Sequence, residues 1–370
     1  MIDKRESRVF KANETQKKAN NLPLKDGHVY CFITTEKTVY QPGSSLMRKK
    51  GGPTLADLAR KAGVSISTVS RCLNNQGQIS SGTRQRILRL ARENPAMNSS
   101  VQTILLILPP GQDFGWYTFY LLQELRKVGT DRKLTLEIQF ADHCSHLQER
   151  NFGGIISVDY FNHLEKLLGA NHTIPLVCLN NPGNSLERVY SICSNDHQGM
   201  REALIYLIEH NHRKIALLLH HNDRSITAQN REQALREIMA EFKLTNQVVV
   251  ARYINDPIGC VDMLHKSGVT ALISPAESSS LKLLKAFHTV KCKIPKEMSL
   301  ITGEISYISG FLQPALSTLE QDFGKLATSA FDTIEKLQRG ETVPLLQKID
   351  YRLNKRDSVA LSPDTAELLE

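Results

Sequence analysis

Seven short apolar runs punctuate most of this chain: Ile104–Leu108, Gly154–Ile156, Pro175–Leu179, Ile215–Leu219, Val248–Val250, Ala271–Ile273 and Ser299–Ile301. Each is bounded by Pro, Gly, Asn or polar residues, is too short for a buried helix, and lacks the polar alternation of a half-exposed strand. Such runs are the pattern of strands covered on both faces, and the amphipathic stretches between them fit crossover helices. The body is therefore expected to be α/β with parallel sheets, and one sheet or two both fit the pattern. At 370 residues and 41% hydrophobic content the chain is long enough for more than one domain with a proper core.

The net charge of +8 is unevenly distributed. Residues 48–94 carry ten Lys and Arg against two acidic residues, Asp57 and Glu93, whereas residues 95–370 carry 28 against 31. A basic module joined to a near-neutral body is the footprint of a partner with a polyanionic backbone. Seven cysteines are scattered without a Cys-x-x-Cys pair, and their number is odd, which fits reduced thiols in a cytoplasmic protein. No apolar run is long enough to span a membrane, and the polar N-terminus has no signal-peptide core. No cofactor or metal is expected, because no Gly-rich phosphate loop, HExxH, GxSxG or paired metal-ligand spacing occurs.

The basic segment predicts three helices. Thr54 precedes Leu55, Leu58, Ala59 and Ala62, an i, i+3, i+4, i+7 stripe with Asp57 placed for a capping box. Gly63 supplies the turn and Val64 the contact between helices. Ser65 caps a second helix, Ile66 to Leu73, in which Val69, Cys72 and Leu73 face inward and Ser67, Thr68, Ser70 and Arg71 stay free. A free face of hydroxyls and one arginine suits phosphate oxygens and base edges in a major groove. A third helix follows Ser80, with Thr83 and Arg84 in its first turn and Ile87, Leu90 and Ala91 on its buried side.

The string Thr54-Leu55-Ala56-Asp57-Leu58-Ala59-Arg60-Lys61-Ala62-Gly63-Val64-Ser65-Ile66-Ser67-Thr68-Val69-Ser70-Arg71-Cys72-Leu73-Asn74 resembles the headpiece of the lactose-repressor (LacI/GalR) family of bacterial transcription regulators. The body is similar to that family as well. Ile192 to Gly199 followed by His212-Arg213-Lys214-Ile215-Ala216 resembles the opening of its second subdomain, Pro314 to Phe323 its return crossover, and Arg356-x-Ser358 its closing tail. The resemblance implies a helix-turn-helix headpiece on a two-lobed periplasmic-binding-protein-like body. It also implies a homodimer on double-stranded operator DNA, a repressor of a sugar-related operon, with a small-molecule effector in the cleft. The family positions that meet DNA fall on Ser65, Ile66, Ser67, Ser70, Arg71, Asn74, Ser80 and Thr83, to which Thr54, Thr68 and Arg84 are added.

On this reading residues 1–52 are an N-terminal extension and basic arm, part of which a start at Met47 would leave out. His28 to Tyr40 reads as a short strand or hairpin. Residues 53–95 are the headpiece, 96–101 a linker, 102–358 the body and 359–370 a tail. Lobe 1 is expected to take residues 102–190 and 319–346, and lobe 2 residues 191–318 and 347–358.

Two departures stand out. The resemblance implies a hinge helix of the form Ala-Arg-x-Leu, yet Glu93-Asn94-Pro95-Ala96-Met97-Asn98-Ser99-Ser100 passes straight to Val101, so the usual minor-groove wedge is not carried over. In the cleft, the family's sugar-binding Arg falls at Thr227, its Asn-Asp pair at Ala276-Glu277 and a further Asp at Ile305. Arg224 or Arg231 is a substitute for the first if the loop is gapped, and Asn180, Gln321 and Phe323 remain as lining. The alternative is a cytoplasmic α/β receptor or enzyme with a dispensable headpiece, which duplex-DNA binding with steep salt dependence would exclude.

Overall fold

The computed structural model describes residues 54–74, 76–92, 103–109, 115–141, 151–158, 174–181, 189–220, 225–253, 256–306 and 308–366. The expected hairpin at 28–40, the linker at 96–101 and Arg224 lie outside them.

Three helices come first: α1 (Leu55–Ala62), α2 (Ile66–Leu73) and α3 (Ser81–Arg92). Thr54 and Asp57 form the reciprocal capping box, with the Thr54 amide donating to Asp57 Oδ2 at 2.9 Å and the Asp57 amide to Thr54 Oγ1 at 3.2 Å. Gly63 ends α1 at φ 64°, a left-handed conformation that a side chain makes costly. Leu58, Ala59, Ala62, Val69, Cys72, Leu73, Ile87, Leu88 and Ala91 make one small core. Leu88 joins Ile87 there, whereas Leu90, expected inside, is only partly buried.

Two six-stranded sheets form the body. The first runs β11-β5-β4-β3-β1-β2 and is parallel throughout, with β1 Thr103–Leu108, β2 Thr135–Phe140, β3 Gly154–Val158, β4 Leu176–Leu179, β5 Val189–Ser194 and β11 Leu346–Ile349. The second runs β12-β10-β9-β8-β6-β7, with β6 Ile215–His220, β7 Val248–Tyr253, β8 Ala271–Ser274, β9 Ser299–Gly303, β10 Ser317–Glu320 and β12 Arg352–Asn354; only the β10/β12 pair is antiparallel. Helices α4 (Trp116–Asp131) and α9 (Phe323–Gln338) pack on the first sheet, and Leu121, Leu125, Leu326, Ala330, Phe331 and Ile334 bury against β1, β3 and β4. Helices α5 (Asp196–Glu209), α6 (Ile226–Glu241), α7 (Pro257–Lys266) and α8 (Ser280–Val290) cover the two faces of the second.

Five strands escaped the sequence pattern, for visible reasons. β2, Thr-Leu-Glu-Ile-Gln-Phe, lies at an edge and is half-exposed, and β5, β10, β11 and β12 carry the polar residues of the interlobe region. These short strands shift the lobe boundaries. β5 keeps the chain in the first sheet to Ser194 rather than 190, β10 keeps it in the second to Glu320 rather than 318, and β11 holds the first to Ile349 rather than 346. Each strand runs on to the rim of its sheet because its backbone groups need ladder partners there.

The segment assigned to the tail also packs further than expected. Ser362 is buried, its amide donating to the His210 carbonyl at 2.8 Å, and a one-turn helix, Pro363–Ala366, follows. Cys72, Cys178, Cys193 and Cys292 are buried and Cys260 is half-buried; Cys31 and Cys144 lie outside the described residues. Among the described residues no helix is long and apolar enough to cross a membrane.

Candidate nucleic-acid interface and ligand cleft

The second helix divides cleanly by side. Val69, Cys72 and Leu73 are buried, whereas Ser65, Ser67 and Arg71 are exposed and Thr68, Ser70 and Asn74 are half-exposed. Ile66 is 52% exposed, a large apolar side chain held in solvent at the start of the helix. Ser65 accepts the Thr68 amide at 3.1 Å and pairs its hydroxyl with those of Ser67 and Thr68, each at 2.8 Å. Arg71 leans back along the helix, its Nε donating to the Ser67 carbonyl at 3.3 Å, with the guanidinium in solvent. Ser80 receives the Thr83 amide at 3.4 Å and starts α3. Thr54 is exposed but its hydroxyl is engaged by Asp57, whose carboxyl is held low by the Thr54 amide and hydroxyl and then by Arg60. Arg84 is half-buried beside Cys72, whose thiol burial pushes up. The expected headpiece residues therefore lie on α2, at a helix start or, for Asn74, at the C-cap of α2.

In the body, a cavity of about 570 Å³ opens where the chain crosses between the lobes. Asn180, at φ 50° just after β4, organises its floor. The side-chain amide donates to Tyr117 Oη at 2.8 Å and Gln321 Oε1 at 2.9 Å, and its oxygen accepts the Ser194 amide at 2.8 Å. Ser194 Oγ donates to the same Gln321 oxygen at 2.7 Å, so two of the crossing segments, after β5 and after β10, meet here.

Beside them Arg231 is buried in α6, its Nε donating to Asp196 Oδ1 at 2.9 Å and its Nη2 to Tyr351 Oη at 3.0 Å. Tyr351 donates in turn to Asp196 at 3.2 Å. Burial pushes the Asp196 carboxyl up, against the pull of Arg231 and Tyr351, and it also raises the Tyr351 phenol. Burial works against the Arg231 charge too, but Tyr351 and Asp196 outweigh it and the guanidinium stays protonated.

Of the expected cleft residues, Asn180, Thr227, Arg231, Ala276 and Gln321 line this cavity. Two do not. Ile305 is 1% exposed, its amide tied to Ser309 Oγ at 3.0 Å in the turn after β9, where an apolar side chain gains by leaving the cleft for the interior. Phe323 packs edge-on against Tyr117 at 5.6 Å and stacks on Tyr120 at 6.1 Å, and it lines a neighbouring hollow of about 500 Å³ instead. Tyr117, Ser194, Asp196, Lys348 and Tyr351 also line the cavity, and none of them is at a cleft position that the resemblance marks. Asp196 lies within the Ser-Asn-Asp-His string already noted, but nothing local marks Tyr351, which is 120 positions from its partner Arg231.

Residues 54–94 match the family described as bacterial regulatory proteins, lacI family, and residues 204–359 match the periplasmic binding protein-like domain. The chain is 23% identical over 326 residues to the HTH-type transcriptional regulator pepR1 of Lactobacillus delbrueckii subsp. lactis, covering 82% of this chain and 97% of the relative. It is 24% identical over 335 residues to the HTH-type transcriptional repressor PurR of Vibrio cholerae, covering 83% and 98%. Among solved structures, the lac repressor dimer bound to operator and the anti-inducer ONPF aligns at a TM-score of 0.61 and 19% identity, covering 84% of this chain and 100% of that one. The regulator CelR in complex with cellobiose aligns at 0.60 and 19%, covering 83% and 99%. The helix-turn-helix with its solvated second helix and the two-sheet body with an interlobe cavity are the two parts these matches identify, and the chain belongs to the lacI family of bacterial regulatory proteins, the DNA-binding regulators of transcription.

Proposed function

We propose that this protein is a cytoplasmic repressor that binds a two-fold operator as a homodimer and acts by regulation rather than catalysis. The observation that carries the reading is the division of α2, which buries Val69, Cys72 and Leu73 while offering Ser65, Ile66, Ser67, Ser70 and Arg71 to solvent. Residues 53–95 serve as the DNA module, 96–101 as the linker and the rest as the body. Arg71 is the base reader, since a guanidinium spans the guanine O6 and N7 pair, and Ile66 meets a thymine methyl. The hydroxyls at Ser65, Ser67, Thr68, Ser70, Ser80 and Thr83, with Thr54, Asn74 and Arg84, position the module on the backbone. A second copy is supported by large apolar side chains left on the body's surface, with Phe311 86%, Met263 55% and Leu281 45% exposed. Enrichment of duplexes from a random pool should yield an inverted repeat; a single unpaired half-site, or no enrichment, would overturn the reading.

The cleft is proposed to hold a small polyhydroxylated effector. Its volume suits a ligand of sugar size, and Asn180, Gln321, Ser194 and Tyr117 present convergent hydrogen-bonding groups. Titration calorimetry against a sugar panel checks this. Binding that survives Asn180→Ala unchanged would place the ligand elsewhere.

A further inference from the structure

Three metal-ligating side chains converge in lobe 2, and none of them lines the interlobe cavity. His265 sits in the last turn of α7, Cys292 follows Lys291 at the end of α8, and Glu297 lies shortly before β9. Each offers one ligand atom, and these atoms all lie within 4.8 Å of one another. Cys292 is 4% exposed, whereas the imidazole and the carboxylate are half-buried. The sequence gives no warning, because the ligands stand 27 and 5 residues apart, outside any short metal motif.

Backbone geometry sets the convergence. Lys291 turns left-handed at φ 62°, and the Cys292 amide donates to the Phe287 carbonyl at 3.1 Å, which fixes the thiol at the helix end. The Lys293 amide donates to Glu297 Oε2 at 2.6 Å, and the Glu297 amide returns to the Lys293 carbonyl at 2.8 Å. That closed ring orients the carboxylate while leaving its second oxygen for another partner.

A sulfur, an imidazole nitrogen and a carboxylate oxygen are a donor set for zinc, with bond lengths of about 2.0 to 2.3 Å and hence donor separations of about 3.5 Å. The ligand atoms, none more than 4.8 Å from another, stand close to that spacing, and two of the three side chains are half-exposed. We propose that His265, Cys292 and Glu297 bind one zinc ion, with solvent as the fourth ligand, and so tie the end of α7 to the turn between α8 and β9.

The test uses the purified full chain, stripped of metal and titrated with Co²⁺ and then Zn²⁺. The expected result is one equivalent bound, a thiolate-to-cobalt charge-transfer absorption that zinc abolishes, and a higher thermal midpoint with zinc. Cys292→Ser removes that absorption, and His265→Ala weakens zinc at least about tenfold. The half-exposed His265 ring keeps the test sound if the thiol variant folds poorly. Absence of the thiolate band in the unmutated chain, or a band and affinity unchanged in His265→Ala, overturns the proposal.

Discussion

Arg71 and Arg231 show how one residue type serves two purposes. The Arg71 guanidinium stands in solvent at the end of α2, and Arg71→Ala is expected to cost about 1 to 3 kcal/mol of operator affinity, concentrated at one base pair of each half-site. Fluorescence anisotropy on single-substituted operators measures that, and an equal loss on every sequence would make Arg71 a phosphate contact instead. Arg231 is buried against Asp196 and Tyr351. Removing it by Arg231→Met strands a buried carboxylate, with an expected stability loss of about 3 to 5 kcal/mol by urea unfolding. Adding Asp196→Asn should recover part of that loss.

His212 is a third case. Its Nε2 reaches the Ala360 carbonyl, which only accepts, so Nε2 carries the proton and Nδ1 accepts from Thr270. Burial pulls the ring down from its ordinary 6.5 to about 4. Between those values the unfolded chain binds a proton that the folded chain refuses, so stability rises with pH there and falls on acidification, by about 3 kcal/mol in all. Urea unfolding from pH 4 to 7 checks this, and His212→Gln should flatten the slope.

The secondary-structure elements make their own demands, at turns and at close approaches. Gly63 is legible from sequence because its positive φ punctuates two helices whose apolar stripes are plain on either side. Gly63→Val is expected to lower headpiece stability by about 1 to 2 kcal/mol, read by thermal unfolding of the far-ultraviolet helix signal. Gly199 carries no such signal. A Cβ there would lie 2.9 Å from the Tyr351 ring, so Gly199→Ala must push α5 off the crossing segment that holds Tyr351. The expected consequence is a loosened Asp196–Arg231–Tyr351 cluster and weaker effector binding, measured by calorimetry. The seven apolar runs were readable as strands because burial on both faces leaves no polar residue to confuse the period. β5, β10, β11 and β12 were not, since polar residues such as Ser191, Ser194, Thr318, Lys348 and Asn354 interrupt their apolar positions, and hydrogen bonds add to the apolar contacts that hold them.

Across the whole molecule, local texture alone determined the three-helix headpiece, its basic charge and the α/β nature of the body. Capping, helical periodicity and buried-strand runs are written over spans of ten or so residues, and so were readable. The solvent side of α2, with Ser67, Thr68, Ser70 and Arg71, followed from the same local logic, because a short helix has only one face to bury. The three-dimensional structure decided the rest: two sheets rather than one, the points at which the chain crosses between them, and the cavity where Asn180, Ser194 and Gln321 meet. It also withdrew Ile305 and Phe323 from that cavity and closed the charge of Arg231 on partners 35 and 120 residues away. Those outcomes depend on which distant segments share one volume, and hydrophobic patterning fixes only which side of an element is buried, not what it is buried against.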